Sequence, residues 1–152
     1  MNQSDIELLA TVAWKENRRG RIPGMTSIIN VVMNRSAKHN KSIEQIIMAP
    51  RQFTSMSVPS DPEYSIDPQE SVGIDHDAWM DAQDLAAQAS QGALHDITNG
   101  STMYFAPAGM PSSAVVPYVL PDGTRTVFPK MWNIMAVRYT CTIAKQLFFV
   151  EV

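Results

Sequence analysis

Between residues 25 and 35 the apolar side chains Ile28, Ile29, Val31, Val32 and Met33 almost encircle a helical axis, leaving Ser27, Asn30 and Asn34 as a narrow polar strip. A helix that is apolar nearly all round is stable only when other elements wrap it, so this segment is the expected central helix of a packed domain. Pro23 and Gly24 read as a turn, which places the expected start of this helix near Met25 or Thr26. With 152 residues, 45% of them hydrophobic, the chain has material for one core and little room for a second, so a single domain over 1–152 is expected.

The wrapping elements can be read on either side. Ser4 and Glu7 have the spacing of a reciprocal helix cap, predicting a helix over 5–17 with Ile6, Leu9, Val12, Ala13 and Glu16 on one face. Ser42 with Gln45 repeats that pattern ahead of Ile43, Ile46 and Ile47, and Pro50 ends the short helix. Residues 51–76 are rich in serine, proline and aspartate and are expected to form a long irregular rim of a cleft. Ala78, Ala82, Leu85, Ala86 and Ala89 then recur at helical spacing, with Asp77 as the expected cap and Gly92 as the stop. Met25, Met33, Met48 and Met80 fall within helical patterns and read as core filling.

Past residue 100 the period changes. Residues 102–106 favour a strand, and the runs around Tyr118 and Val127 flank the hairpin-like Pro121-Asp122-Gly123. The last fifteen residues read either as a strand pair bent near Ala144 or as a short helix. The expected fold class is therefore α+β, predominantly helical, with a small C-terminal β-hairpin or sheet.

Composition removes several functions. A formal net charge of −3 gives no overall basic field to hold a nucleic-acid backbone, so DNA or RNA is not the favoured partner. A helical DNA-binding module, suggested by the successive short helices over 5–47, is a distant alternative. Cys141 is the only cysteine, so no intramolecular disulfide forms, and it reads as a small buried hydrophobe. His39, His76 and His95 lack metal-ligand spacing, and no serine lies in a nucleophile elbow, so neither a metal nor an organic cofactor is expected. The N-terminus lacks the features of a secretory signal and no segment approaches eighteen uninterrupted apolar residues. Synthesis in the cytoplasm, without stable membrane insertion, is the expectation; the oligomeric state is not encoded in any pattern here.

A carboxylate on an apolar helix face is disfavoured as an anion by desolvation and can be held as a proton donor, which makes Glu16 a candidate general acid. Helix geometry alone is weak support, because a glutamate at a wet helix end can instead pair with a nearby arginine such as Arg18 or Arg19.

A resemblance strengthens this reading. Ala10-Thr11-Val12-Ala13-Trp14-Lys15-Glu16-Asn17-Arg18 resembles the signature helix of the SleB-type, spore-cortex-lytic cell-wall hydrolases, which contains their catalytic glutamate. Val31-Val32-Met33-Asn34-Arg35 is similar to their second-helix motif, and Ile46-Ile47-Met48-Ala49-Pro50-Arg51-Gln52-Phe53-Thr54 to the segment bordering the cleft. Trp79, the block Asp96-Ile97-Thr98-Asn99-Gly100-Ser101-Thr102-Met103-Tyr104-Phe105-Ala106, and Trp132 with Phe148-Phe149 resemble the later blocks, in the same order. The chain departs from the pattern at Asn17, where alanine is usual, and at Ala144-Lys145-Gln146, which lacks the customary glycines and histidine; residues 55–76 and 112–130 have no clear counterpart.

The resemblance implies a lysozyme-like fold and lytic transglycosylase chemistry on the β-1,4 bond between N-acetylmuramic acid and N-acetylglucosamine of peptidoglycan glycan strands. It implies Glu16 as catalytic residue and puts Gln52, Phe53 and Thr54 beside the cleft, whose wall is expected to run on to Ser55. Gln52 can exchange hydrogen bonds with an acetamido sugar, and Phe53 and Tyr104 can offer rings to sugar C–H groups. Loop tethering and core packing are their alternative roles. Trp132 can bind sugar or lie buried, and Asn34 and Arg35 are expected to organise neighbouring backbone and carboxylates. Lys15, Arg18, Arg19 and Arg21 can attract peptide carboxylates or form a solvated basic turn.

Two other readings stay open: a hydrolytic muramidase in which Asp61, Asp67 or Asp96 supplies a second carboxylate, and a non-catalytic cell-wall-binding or structural module. The lack of signal and disulfide suits a phage endolysin, released to the wall through a separate membrane lesion, or a virion-associated lysin.

Overall fold

The structure, a computed structural model, describes residues 1–152. The chain divides into two compact units, Met1–Ile97 and Thr98–Val152.

The first unit is helical. Helix α1 (Gln3–Asn17) and helix α2 (Arg21–His39) flank a 3-10 turn at Arg18–Gly20, and α3 (Ile43–Ile47), α4 (Thr54–Ser57) and α5 (Gly73–Ser90) follow. α1 packs on α2 and α5, and α2 on α5, so the three long helices share one core. The central helix is where its pattern put it: Met25, Ile28, Ile29, Val31 and Val32 are fully buried.

The polar strip of α2 has a structural use. Asn30 accepts from the Ile97 amide at 3.0 Å and donates to the His95 carbonyl at 3.3 Å, and Asn34 donates to the Asp96 carboxylate at 3.0 Å. The buried Asn30 amide thus satisfies backbone groups of a segment that has no ladder of its own, and the half-buried Asn34 holds a side chain of that segment.

Three helix starts differ from expectation. α1 is capped two residues earlier, by Asn2, whose side chain accepts from the Asp5 amide while Asp5 accepts from the Asn2 amide. This pair has the same spacing as Ser4 and Glu7 and adds two residues to the helix. α2 begins at Arg21 rather than near Met25, because Pro23 falls in the first turn, where a missing amide hydrogen breaks no intrahelical bond. Gly24 is not a turn residue: a Cβ there would stand 2.8 Å from Asn17 Nδ2 and 2.9 Å from its Cγ, so the glycine admits the Asn17 side chain against the helix. α5 begins at Gly73, four residues before Asp77, with no side-chain cap. Its alanines are buried as expected, and Gly92, at φ 69°, follows its end. Among the methionines, Met25 fills the core but Met48 and Met80 are 40% and 56% exposed, which corrects their assignment to it.

The second unit is built of strands. β1 (Met103–Phe105), β5 (Gln146–Glu151) and β4 (Val137–Ile143) form an antiparallel sheet in the order β1-β5-β4, and β2 (Val115–Val119) pairs with β3 (Arg125–Pro129). The β2–β3 connection is the Pro121-Asp122-Gly123 turn, where the Asp122 carboxylate accepts from the Thr124 amide at 2.9 Å. β4 and β5 are joined by Ala144 and Lys145, both at positive φ (49° and 66°), as a two-residue hairpin turn requires. The terminal run is therefore the strand pair, not the helix.

Phe105, Leu120, Phe128, Leu147 and Phe149 form the core of this unit. Phe149, fully buried, has the rings of Phe105, Phe128, Trp132, Tyr139 and Tyr118 around it at centroid distances of 5.6–6.4 Å. Cys141 is half-buried and in no disulfide, and its Sγ accepts from Thr140 Oγ1 at 3.5 Å, so the small-buried-hydrophobe expectation is only partly met.

Candidate active site

Glu16 lies in the last turn of α1 and is half-buried. Trp14, two residues earlier, fixes this end of the helix: its indole Nε1 donates to the Asp75 carbonyl at 2.8 Å and its ring meets Trp79 edge-on at 6.5 Å. A rigid helix end held from below is a precise mount for a side chain that must meet substrate.

The serine at the start of α4 reaches this carboxylate. Ser55, 1% exposed, donates from Oγ to Glu16 Oε2 at 2.8 Å. A hydroxyl donated to a carboxylate fixes its orientation and stabilises its charge. Lys15 holds the same segment in place, with its ammonium donating to the carbonyls of Ser55 (3.3 Å) and Tyr64 (2.8 Å). Burial pulls the Lys15 pKa below the ordinary lysine value, with Glu63, Asp61 and Asp67 opposing the shift.

Arg18 organises the other side. It forms a two-pronged ion pair with Glu63, a 3.5 Å contact from Nε to Asp75, and lies over the Trp14 ring at 4.1 Å. The hydrogen bonds to Glu63 are the main cause that raises its pKa above the ordinary arginine value. Lys15, Glu16, Asn17, Arg18, Arg19 and Glu63 together line a pocket of about 200 Å³.

The remaining sequence candidates separate. Gln52 and Thr54 are exposed, and Thr54 donates to Asp61 at 2.5 Å. Phe53 is 1% exposed with the Arg35 guanidinium 5.3 Å from its ring centre, so it supports the segment from within, the core-packing alternative for this ring. Asn34 donates to the Asp96 carboxylate, and the Arg35 guanidinium lies over the Phe53 ring. In the second unit Tyr104 is half-buried and stacks on Phe148 at 5.6 Å. Trp132, also half-buried, packs edge-on against Phe105, Phe128 and Phe149.

The carboxylates named for a second catalytic role each have a local task. Asp61 accepts from the Glu63 amide and from Thr54, Asp67 caps the 3-10 turn Pro68–Glu70 through the Gln69 amide, and Asp96 is held by Asn34. Glu63, which shares the pocket with Glu16, was not among them. It sits in a proline-rich stretch without periodicity, where nothing in the sequence aligns it with α1; an acid at that distance from its arginine partner leaves no local signal. No group of three or more His, Cys, Asp or Glu is arranged to hold a metal ion, and no helix is long and apolar enough to cross a membrane.

Residues 21–119 match the profile of a family described as cell wall hydrolase. The chain belongs to the cell wall hydrolase family. The matched stretch begins after Glu16, so the family assignment and the choice of Glu16 rest on different residues. The fold is similar to the catalytic domain of the germination-specific lytic transglycosylase SleB from Bacillus anthracis, at a TM-score of 0.64 and 21% identity, covering 97% of this chain and 95% of that one. That likeness establishes the α+β, predominantly helical, lysozyme-like fold. A comparison with curated proteins finds no match.

Proposed function

We propose that this family member cleaves peptidoglycan glycan strands at the β-1,4 bond between N-acetylmuramic acid and N-acetylglucosamine, with Glu16 as the only acid and base. The observation that carries the reading is the Glu16 carboxyl on a fixed helix end, lining a pocket and accepting from buried Ser55. Family membership and the lytic transglycosylase activity printed for the structural relative support it.

In this mechanism Glu16 gives its proton to the glycosidic oxygen as the bond from the muramic acid C1 breaks, leaving an oxocarbenium-like centre. The 6-hydroxyl of the same sugar attacks C1 and returns its proton to the Glu16 carboxylate. No water is consumed, the leaving sugar departs as an alcohol, and the product ends in 1,6-anhydro-N-acetylmuramic acid. Ser55, by donating to Glu16 Oε2, keeps the carboxylate oriented between the two steps. Gln52, Tyr104 and Trp132 are carried here as substrate contacts, and no metal or cofactor enters the scheme.

A second reading has one observation in its favour: Glu63 lines the same pocket and would serve a hydrolytic muramidase as the second carboxylate. Against it, Arg18 already engages both oxygens of Glu63. One experiment decides. Purified peptidoglycan is incubated with the wild type and with Glu16→Gln, and soluble muropeptides are read by mass spectrometry. Anhydro ends that fall about 10²–10⁴-fold in the variant are the expected result for an essential acid. Reducing ends that depend on Glu63 establish hydrolysis, and binding without release of either product returns the chain to a wall-binding module.

The single catalytic domain over 1–152 stands within this proposal as the claim that both compact units are needed for turnover. A phage endolysin or a virion-associated lysin is the proposed setting, separable by whether the protein lyses cells only from within or also when added outside.

A further inference from the structure

The basic residues around the site are not equivalent. The Lys15 ammonium is engaged by the carbonyls of Ser55 and Tyr64, Arg18 by Glu63 and Asp75, and Arg21 by Asp81 at 3.5 Å. Arg19 alone of the four makes no ion pair, and it is exposed on the pocket that contains Glu16. Glu63 offsets Arg18, and Glu16 offsets Lys15 only while ionised, so the pocket carries positive charge in excess whichever form Glu16 takes.

Arg19 is also held in place by its backbone. It is the middle residue of the 3-10 turn Arg18–Gly20, and Asn17 closes that turn by accepting from the Gly20 amide at 3.1 Å. The Asn17 side chain fits there only because Gly24 has no Cβ. A fixed backbone beneath a free guanidinium reduces the ordering needed to meet an anion.

The acetamido sugars of the glycan are neutral, and the anions near the scissile bond are carboxylates of the peptide attached to the muramic acid. We propose that Arg19 binds a stem-peptide carboxylate, so that this site recognises peptide-bearing strands with free carboxylates. Guanidinium and carboxylate match as a two-pronged pair, which a lysine at this position reproduces only in charge. The inference rests on the glycan-cleaving reading above.

The test uses peptidoglycan strands in two forms, native and with their stem carboxylates converted chemically to methylamides. Cleavage by the wild type and by Arg19→Gln and Arg19→Lys is measured on both, and binding of the same strands is measured in a Glu16→Gln background with and without Arg19→Gln. The wild type should favour native strands about five- to tenfold, mainly in KM and more weakly as salt rises. Arg19→Gln should erase that preference at an unchanged melting temperature, and Arg19→Lys should keep part of it. A wild type that treats the two strands alike, or a preference that survives in Arg19→Gln, overturns the proposal. If strands bind but are never cut, the glycan-cleaving reading fails, and the preference in the binding arm still decides the role of Arg19.

Discussion

The two compact units bury their interiors by different means. In Met1–Ile97 the helix-packing faces are mostly aliphatic and small, with Ile28, Ile29 and Val32 of α2 and Ala82 and Ala86 of α5 fully buried, and the buried rings Trp14, Trp79 and Phe53 are a minority. Polar side chains enter this interior with partners: Ser27, Asn30 and Ser55 are buried and hydrogen-bonded. In Thr98–Val152 five aromatic rings surround Phe149 beside Leu120 and Leu147, and the buried polar Ser101 lies hydrogen-bonded to Thr98 and Thr140. Small helix-packing residues bring backbones close and let short polar groups reach one another, which suits a site where a serine must meet a glutamate. Rings occupy volume and hold a sheet together without placing a proton.

The comparison predicts that damage in the second unit appears as lost stability and damage in the first as lost rate. The largest effect should come from Phe149→Ala. Removing a buried ring with that many partners should lower stability by about 3–5 kcal/mol, read by chemical denaturation. A single transition would join the units into one folding domain, whereas two transitions, with only one shifted, would break the comparison into independent parts.

Ser55→Ala should do the reverse. The buried hydroxyl faces a charged group, and losing a hydrogen bond of that kind is worth about 1.5–3 kcal/mol, or roughly ten- to hundredfold in rate if the whole effect falls on the transition state. The loss should appear in kcat rather than KM, with glycan strands as substrate. A change in melting temperature with kcat intact would remove Ser55 from the chemistry.

The smallest effects are in pH, and they differ between the units. The Lys15 pKa is lowered by burial, so the native state binds this proton less tightly than the unfolded chain, and its charged form is a cost at neutral pH. That cost is relieved as pH rises through its native pKa, so the stability of the wild type should rise on the alkaline side, and Lys15→Met should remove that rise. The Asp122 pKa is lowered by the hydrogen bond from the Thr124 amide, so its contribution is present above the unfolded value and lost as pH falls through the native one. Asp122→Asn should therefore flatten a weak acid-side slope. Both slopes are small, and each should vanish with its own substitution when melting is followed across pH.

Much of the first unit's architecture was legible because it is local and periodic. The burial of α2, the Ser42–Gln45 cap and the alanine face of α5 follow from spacing alone. Helix starts were harder, because Pro23 and Gly24 carry turn chemistry that tertiary packing overrode. In the second unit the hairpin at Pro121-Asp122-Gly123 was legible from its turn residues. At the site, the family resemblance singled out Glu16 and the segment that ends at Thr54, next to Ser55. It did not show that Ser55 is buried against Glu16, or that Phe53 is turned inward, because side-chain direction in the short helix α4 depends on contacts some forty residues distant in the chain. Glu63 and the engagement of Lys15 were invisible for the same reason.

Ala144 and Lys145 turn the β4–β5 hairpin in a conformation that side chains with a Cβ adopt at a cost of roughly 1 kcal/mol each. An asparagine–glycine pair takes that shape without the penalty. Replacing these two residues, which lie in no proposed catalytic group, is thus a route to a longer-lived preparation for storage or for work at elevated temperature, a reserve of durability that the present sequence leaves untapped.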